Sequence, residues 1–291
     1  MNYGCQSMIG KIESILLKRP EQAFISQDNL NRTWEEFHYF GCPDYEQVLQ
    51  EYNAFEAIIK AHVPHVYYLP QDERTGLDSI YAHDPLKITR RGAVYFPMGK
   101  ALRSGESYAT EEYLKSIGVP TLGRITAPGK MEGGDVLWLD EKTVAIGRGY
   151  RTNDEGIRQF KEITRDVVDE YIIVPMPHGD GEDCCLHLMS IISLVDTDKA
   201  VVYSRYMPVF FREYLLSLGM QLIECSDAEY DYLGTNLLAL EPGVCILIDG
   251  CPEVEQKLRD AGVTVYTYSG KELSYRGTGG PTCLTCPIAR V

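Results

Sequence analysis

Nowhere in these 291 residues does an apolar run approach the ~18 needed for a membrane-spanning helix. The segment Met1-Asn2-Tyr3-Gly4-Cys5-Gln6-Ser7 has no basic stretch leading into an apolar one, so no export signal is expected, and the expected location is cytoplasmic, without a membrane partner. Positive charge is scarce: 28 Lys and Arg stand against 42 Asp and Glu, for a net charge of -14. Such a balance argues against nucleic acid or an anionic membrane as partner, because binding phosphates requires a positive surface. A small cation suits this field better, although an acidic excess also serves solubility alone. Disulfide architecture is missing too. The nine cysteines are odd in number and irregularly spaced, in a chain too long for a disulfide scaffold, so they are read as reduced thiols. No Pro-, Gly- or Ser-rich linker divides the chain, and residues 1–291 are expected to form a single domain.

What is present is an ordinary globular composition, 44% apolar and 24% charged, which excludes disordered and fibrous classes. The most distinctive stretch lies near the end: Gly277-Thr278-Gly279-Gly280-Pro281-Thr282-Cys283-Leu284-Thr285-Cys286. Glycines and a proline followed by a cysteine describe a tight turn that presents a thiol, a candidate nucleophile if a base can be found. A turn whose cysteines simply pack would look the same.

Periodicity organises the rest. Ile12 to Leu17 reads as a strand, and Asp44 to Val63 as a helix capped by Asp44 and stopped by Pro64. His65 to Leu69 and Leu77 to Pro85 read as further strands. Four short apolar strands follow, at 93–96, 143–146, 200–203 and 244–247, each before a helical segment (111–117, 154–163, 208–218 and 253–261). Gly118, Gly219 and Gly262 stand where a glycine closes a helix. Each helix then leads to another strand. Five strand-helix-strand units imply an α/β repeat architecture around a common centre.

Charged residues recur with the repeat. Asp84 and Arg103 are 19 positions apart, and so are Glu132 and Arg151, each acid before a strand pair and each arginine before a helix. Shared inward positions on one substrate, or ion pairs between repeats, both account for this. In Met131-Glu132-Gly133-Gly134-Asp135, two glycines bring two carboxylates near a common space, which calls for a cation. A planar guanidinium fits better than a metal, since no histidine is near in sequence. Cys184-Cys185 with His187, and Cys283-x-x-Cys286, lack the paired spacing of a zinc site, so no metal or cofactor is expected. Among the six histidines, His187 stands out in the apolar run Leu186 to Ile191, either a satisfied core histidine or the missing base. His83, beside Asp84, is a candidate for lining the site, and His178 reads as a loop residue.

Taken together, the chain resembles the guanidine-modifying enzymes of the pentein superfamily. The residues that carry the resemblance are Asp78-x5-Asp84 with Arg103, Glu132-Gly133-Gly134-Asp135 with Arg151-Thr152-Asn153, Leu186-His187-Leu188, and Gly279-Gly280-Pro281-Thr282-Cys283. The resemblance implies a five-fold pseudo-symmetric α/β propeller. It also implies Cys283 as nucleophile, His187 as general acid/base, Asp84 and the Glu132 cluster with Asp135 on a guanidinium, and Arg103 and Arg151 on the α-carboxylate of a small, cationic, arginine-like substrate. Arginine deiminases and amidinotransferases resemble each other in a His-x-Asp motif where this chain has Met189. Asp78 and the missing acid are more similar to dimethylarginine dimethylaminohydrolases, whereas His83 stands where those carry an acid. An N-substituted arginine hydrolase is therefore expected, with a deiminase, an amidinotransferase, a non-catalytic propeller and a Cys283/Cys286 dithiol protein as alternatives. Ser26 to Gly41 is a candidate closing loop, and a homo-oligomer is compatible with the sequence.

Overall fold

The computed structural model describes residues 2–179, 181–182 and 185–291. Its strands in chain order are β1 (Ile12–Lys18), β2 (His65–Leu69), β3 (Leu86–Thr89), β4 (Gly92–Tyr95), β5 (Thr121–Arg124), β6 (Val136–Trp138), β7 (Thr143–Arg148), β8 (Glu170–Pro175), β9 (Ile192–Asp196), β10 (Lys199–Val202), β11 (Gln221–Glu224), β12 (Leu238–Glu241), β13 (Val244–Ile248), β14 (Thr264–Tyr268) and β15 (Thr285–Arg290). They form five three-stranded sheets: β3-β4-β5, β6-β7-β8, β9-β10-β11, β12-β13-β14 and β15-β1-β2. In each, an inner strand pairs antiparallel with a middle one, through a short hairpin in the first four, and a helical crossover brings the third strand in parallel. This is the expected five-fold α/β propeller. The fifth sheet departs from simple repetition: its inner strand is supplied from the far end of the chain, Leu16 pairing with Cys286 and Leu17 with Thr285.

Burial falls from the centre outward. The inner strands β3 and β6 are buried at every position, whereas β5 is half-buried throughout and β14 buries only Val265 and Tyr268. Strands covered on both faces favour a continuous apolar run, as in Val136-Leu137-Trp138, while half-covered ones tolerate polar residues; β3 departs from this by burying Lys87 and Thr89.

The crossover helices are Tyr45–His62, Glu106–Ser116, Asp154–Thr164, Val209–Ser217 and Pro252–Asp260. Asp44 caps the first by accepting from Gln47 N at 2.9 Å, and Asn153 caps the third through Gly156 N at 2.8 Å. Gly118, Gly219 and Gly262 have φ of +92°, +78° and +82°, the left-handed turn that ends a helix and that a side chain would strain.

Two expectations are corrected. Leu77 to Pro85 is not a strand: Leu77–Ile80 forms a 3-10 turn, with Tyr81 N donating to Asp78 O at 2.9 Å. Its carbonyls are instead taken by Arg103, whose Nη2 reaches Tyr81 O at 3.3 Å and Asp78 O at 3.4 Å. Nor is the segment after β1 all loop, because Ser26 caps a helix over Gln27–Thr33.

Candidate active site

Each repeat contributes one residue from the segment that enters its inner strand. Asp84 precedes β3, Glu132 precedes β6, His187 precedes β9, Asn236 precedes β12 and Cys283 precedes β15. Because the inner strands surround the axis, five such residues converge. Backbone bonds tie the segments together: His83 N donates to Cys283 O at 3.3 Å, and Gly133 N to Asp84 O at 2.8 Å.

Cys283, His187, Asp84, Asp78 and Asn236 line one pocket of about 140 Å3, with Lys100 and Arg151 also in its wall. The amide of Asn236 donates through Nδ2 to Cys283 Sγ at 3.0 Å, and its Oδ1 accepts from Thr282 N at 3.1 Å, which fixes the amide's orientation. Burial, reinforced by the charge of Asp84, pushes the Cys283 thiol up to about 12, with Asn236 pulling the other way. In the empty pocket Cys283 is therefore a neutral thiol.

His187 faces a carboxylate that it never shares with solvent. Its Nε2 lies 2.7 Å from Glu132 Oε2, and Glu132 is 0% exposed. The other Glu132 oxygen accepts from Gly99 N at 2.6 Å and from Arg151 Nη1 at 3.2 Å. Burial opposes charge on both partners. Cys185, Glu132 and Asp135 outweigh it and hold His187 well above the ordinary imidazole value; His187 and Arg151 hold the Glu132 carboxyl well below its usual range. The pair is thus imidazolium and carboxylate at neutral pH. The imidazole packs on Gly134, where a Cβ would stand 2.3 Å from Nδ1.

The remaining carboxylates divide into two kinds. Asp84 gives Oδ2 to Arg103 at 2.9 Å, and Asp78 gives Oδ2 to Lys100 at 3.0 Å, so each retains Oδ1 uncommitted among the described residues. Burial alone would raise Asp84, but Arg103 and His187 outweigh it and keep its carboxyl below the usual value. Asp135 is of the second kind: it accepts from Thr152 Oγ1 at 2.6 Å and from Leu188 N at 2.9 Å. It anchors the turn that follows His187, so the expectation that Glu132 and Asp135 point into one open space is corrected. One holds the imidazole and the other its backbone.

Arg103 and Arg151, equivalent in sequence, differ in their surroundings. Arg103 is 4% exposed, and Glu106 takes its Nε and Nη2, each at 2.9 Å, while Asp84 takes Nη1. Arg151 commits only Nη1, to Glu132, among the described residues. His83 also departs from expectation. It turns away from the pocket, its Nδ1 3.2 Å from Thr285 O and its Nε2 2.7 Å from Lys87 Nζ, because its own backbone is fixed by Cys283 O.

Cys286 is buried and lines a different cavity from Cys283, which removes the structural basis for a dithiol. The Cys184 part of the metal consideration lies outside the described residues. Cys185 Sγ, His187 and Glu132 offer ligand atoms within 4.8 Å of one another, but His187 and Glu132 already share a proton-bearing contact. His178 is exposed and bonds Tyr150 OH at 2.8 Å. The Ser26 to Gly41 segment packs beside the mouth, where Phe37 O accepts from Lys100 Nζ at 3.1 Å. Leu233 and Thr278, two non-glycine residues with φ of 66° and 61°, both line the pocket, so backbone strain collects here.

Asn236 was not foreseen. Its signal is positional: it stands before the inner strand of the fourth sheet, as Asp84 and Glu132 stand before those of the first and second.

The fold is shared with solved guanidine-chemistry proteins. A DDAH from Pseudomonas aeruginosa in complex with citrulline superposes with a TM-score of 0.74 at 23% identity, covering 96% of this chain and 100% of that one. The N-terminal domain of a cyanobacterial arginine dihydrolase, bound to product, gives 0.80 at 15% identity, covering 96% and 98%. In sequence, arginine deiminase of Mycobacterium avium is 29% identical over 195 residues, 57% of this chain and 47% of that protein. The chain thus spans about half the length of the arginine deiminases it matches. YkgA of Bacillus subtilis is 25% identical over 287 residues, 98% of this chain and 95% of that one. The family model described as arginine deiminase matches residues 78–214 and 205–290, a span that takes in the entire pocket, and the chain belongs to the arginine deiminase family.

Proposed function

We propose that this protein is a cysteine-dependent hydrolase that attacks the guanidinium carbon of an Nω-methylated arginine and yields citrulline and methylamine or dimethylamine. The observation that carries the reading is that Cys283 Sγ, a charged His187 and two acids with free oxygens, Asp78 and Asp84, line one pocket.

A guanidinium carbon is a poor electrophile unless it is held planar and charged. Asp84 Oδ1 and Asp78 Oδ1 are the groups available to hold it. The arriving cation lowers the cost of ionising Cys283, whose proton leaves to solvent as substrate enters, while Asn236 keeps its N–H on the sulfur. The thiolate adds to the carbon. His187 then gives its Nε2 or Nδ1 proton to the departing amine, leaving a covalent thiouronium and a neutral imidazole. That imidazole takes a proton from water as the oxygen adds, and collapse of the second tetrahedral species, its hydroxyl proton leaving to solvent, returns thiolate and imidazolium with the urea product. Glu132 stabilises the imidazolium and fixes its ring. Arg151, with open donors, and Lys100 at the mouth suit the α-carboxylate; Arg103 serves by holding Asp84.

The second reading is a deiminase acting on arginine itself, or an amidinotransferase in which an amine replaces water. Met189 is buried where those relatives resemble each other in carrying an acid, which favours the first reading. Mass spectrometry of products from arginine, monomethylarginine, asymmetric dimethylarginine and agmatine decides, with Cys283→Ser as control. Citrulline from the methylated arginines alone supports the proposal, and citrulline from arginine establishes the deiminase. Turnover only when an acceptor amine is added points to the transferase.

A further inference from the structure

Beneath the catalytic turn lies a second cavity, of about 30 Å3, reached by none of the chemistry above. Lys87 and His83, 7% and 6% exposed, stand in its wall together with Arg290 and Trp138. His83 Nδ1 lies 3.2 Å from Thr285 O, a hydrogen-bond acceptor, so Nδ1 carries the ring proton and Nε2 accepts from Lys87 Nζ at 2.7 Å. Burial and the Lys87 charge push His83 down to about 3, consistent with a neutral ring. The histidine therefore orients the ammonium without neutralising it.

Burial favours the neutral amine and pulls Lys87 down to about 8, still mostly charged at neutral pH, with Cys5, Cys286 and Asp84 pulling the other way. Among the described residues Lys87 has no ion pair, its remaining close partner being Met189 Sδ at 4.0 Å, and no Asp or Glu lines the cavity. Among the described residues Trp138 Nε1 and Arg290 Nε are also buried without a hydrogen-bond partner, although neither atom opens onto the space. Buried polar groups are nearly always satisfied, and a buried cation needs a counter-charge. A buried ammonium without an ion pair, in the wall of an acid-free space, calls for an anion.

We propose that this cavity is a binding site for one small monovalent anion, chloride being the physiological candidate. Size limits the class: a space of about 30 Å3 holds a single ion or one to two waters, which leaves out phosphate, sulfate and carboxylic acids. The remaining wall, including Leu86, Ile88 and Leu238, is apolar and favours a weakly hydrated halide. Thr282 and Cys286, which flank the nucleophile in sequence, also line the cavity, so the ion braces the catalytic turn from behind.

Crystals of the full chain grown in sodium bromide, with data collected at the bromine edge, test this directly. An anomalous peak within contact distance of Lys87 Nζ is expected in the wild type and none in Lys87→Met. Thermal unfolding in chloride, against gluconate at equal ionic strength, should raise the wild-type Tm by about 2 °C or more and leave Lys87→Met unmoved. A cavity without bromine signal, or wild-type melting insensitive to the choice of anion, overturns the proposal. The bromide result on the wild type stands whether or not the variant folds, and neither readout depends on the substrate.

Discussion

The Nδ2 of Asn236 lies 3.0 Å from the Sγ of Cys283, and the same amide is locked by Thr282 N at its other end. A donor held in this way stabilises a thiolate more than a thiol, so it acts when charge forms on sulfur. A hydrogen bond to a charged group contributes about 1.5–3 kcal/mol. Asn236→Ala is expected to lower kcat about 10- to 100-fold with little change in KM, and to shift alkylation of Cys283 to higher pH. An unchanged alkylation profile would remove Asn236 from the chemistry.

With the Cys283 thiol pushed up to about 12, its inactivation by iodoacetamide should climb close to tenfold for each pH unit past the point, about pH 8.5, where an ordinary cysteine levels off. The sign follows from burial and Asp84 both opposing the thiolate. Guanidinium ion at millimolar concentration, placed in the acid pocket, is expected to move the profile to lower pH. A plateau near pH 8.5 in the empty enzyme contradicts this picture.

Glu132 raises the His187 pKa, so removing its charge lowers it. In Glu132→Gln the loss of activity at high pH should therefore begin at lower pH than in wild type. kcat should fall about 100-fold, within the range that positioned acid–base groups supply. The pH profile distinguishes this from a general loss of folded enzyme.

Arg103 and Arg151 should separate on mutation. Arg103→Ala leaves Glu106 and Asp84 buried and unpaired, at a cost of about 3–5 kcal/mol, and should appear first as a lower Tm. Arg151→Ala should raise KM far more than it lowers kcat, since its proposed place is on a part of the substrate that does not react. Equal KM effects with equal stability would return Arg103 to the carboxylate.

Gly134→Ala puts a methyl group 2.3 Å from His187 Nδ1. The imidazole must move off Glu132, so activity should be lost while circular dichroism and the sheet core persist. Retained activity would show that the ring has another place to stand.

The propeller was legible because its middle strands are short apolar runs followed by glycine-closed helices, a pattern that local backbone physics imposes whatever the function. β13, expected at 244–247, spans Val244–Ile248, and β7, expected at 143–146, runs to Arg148. Glu132, Asp135 and Cys283 were legible because turns rich in glycine announce close approach, and Asp84 because its spacing to Arg103 repeats in Glu132 and Arg151. Side-chain direction was not. His83 and Asp84 are neighbours, yet one faces the pocket and the other the cavity behind it, a consequence of backbone bonds made by residues 200 positions away. The Leu77 to Pro85 stretch has the composition of a strand but gives its carbonyls to Arg103, a partner that no local pattern indicates.

The pairing of β15 with β1 has a consequence in time as well as in space. The nucleophile sits two residues ahead of the strand that shuts the ring, so one event both closes the propeller and delivers the thiol. Until Thr285–Arg290 pairs with β1, the fifth sheet lacks its inner strand and Cys283 has no fixed place beside Asn236.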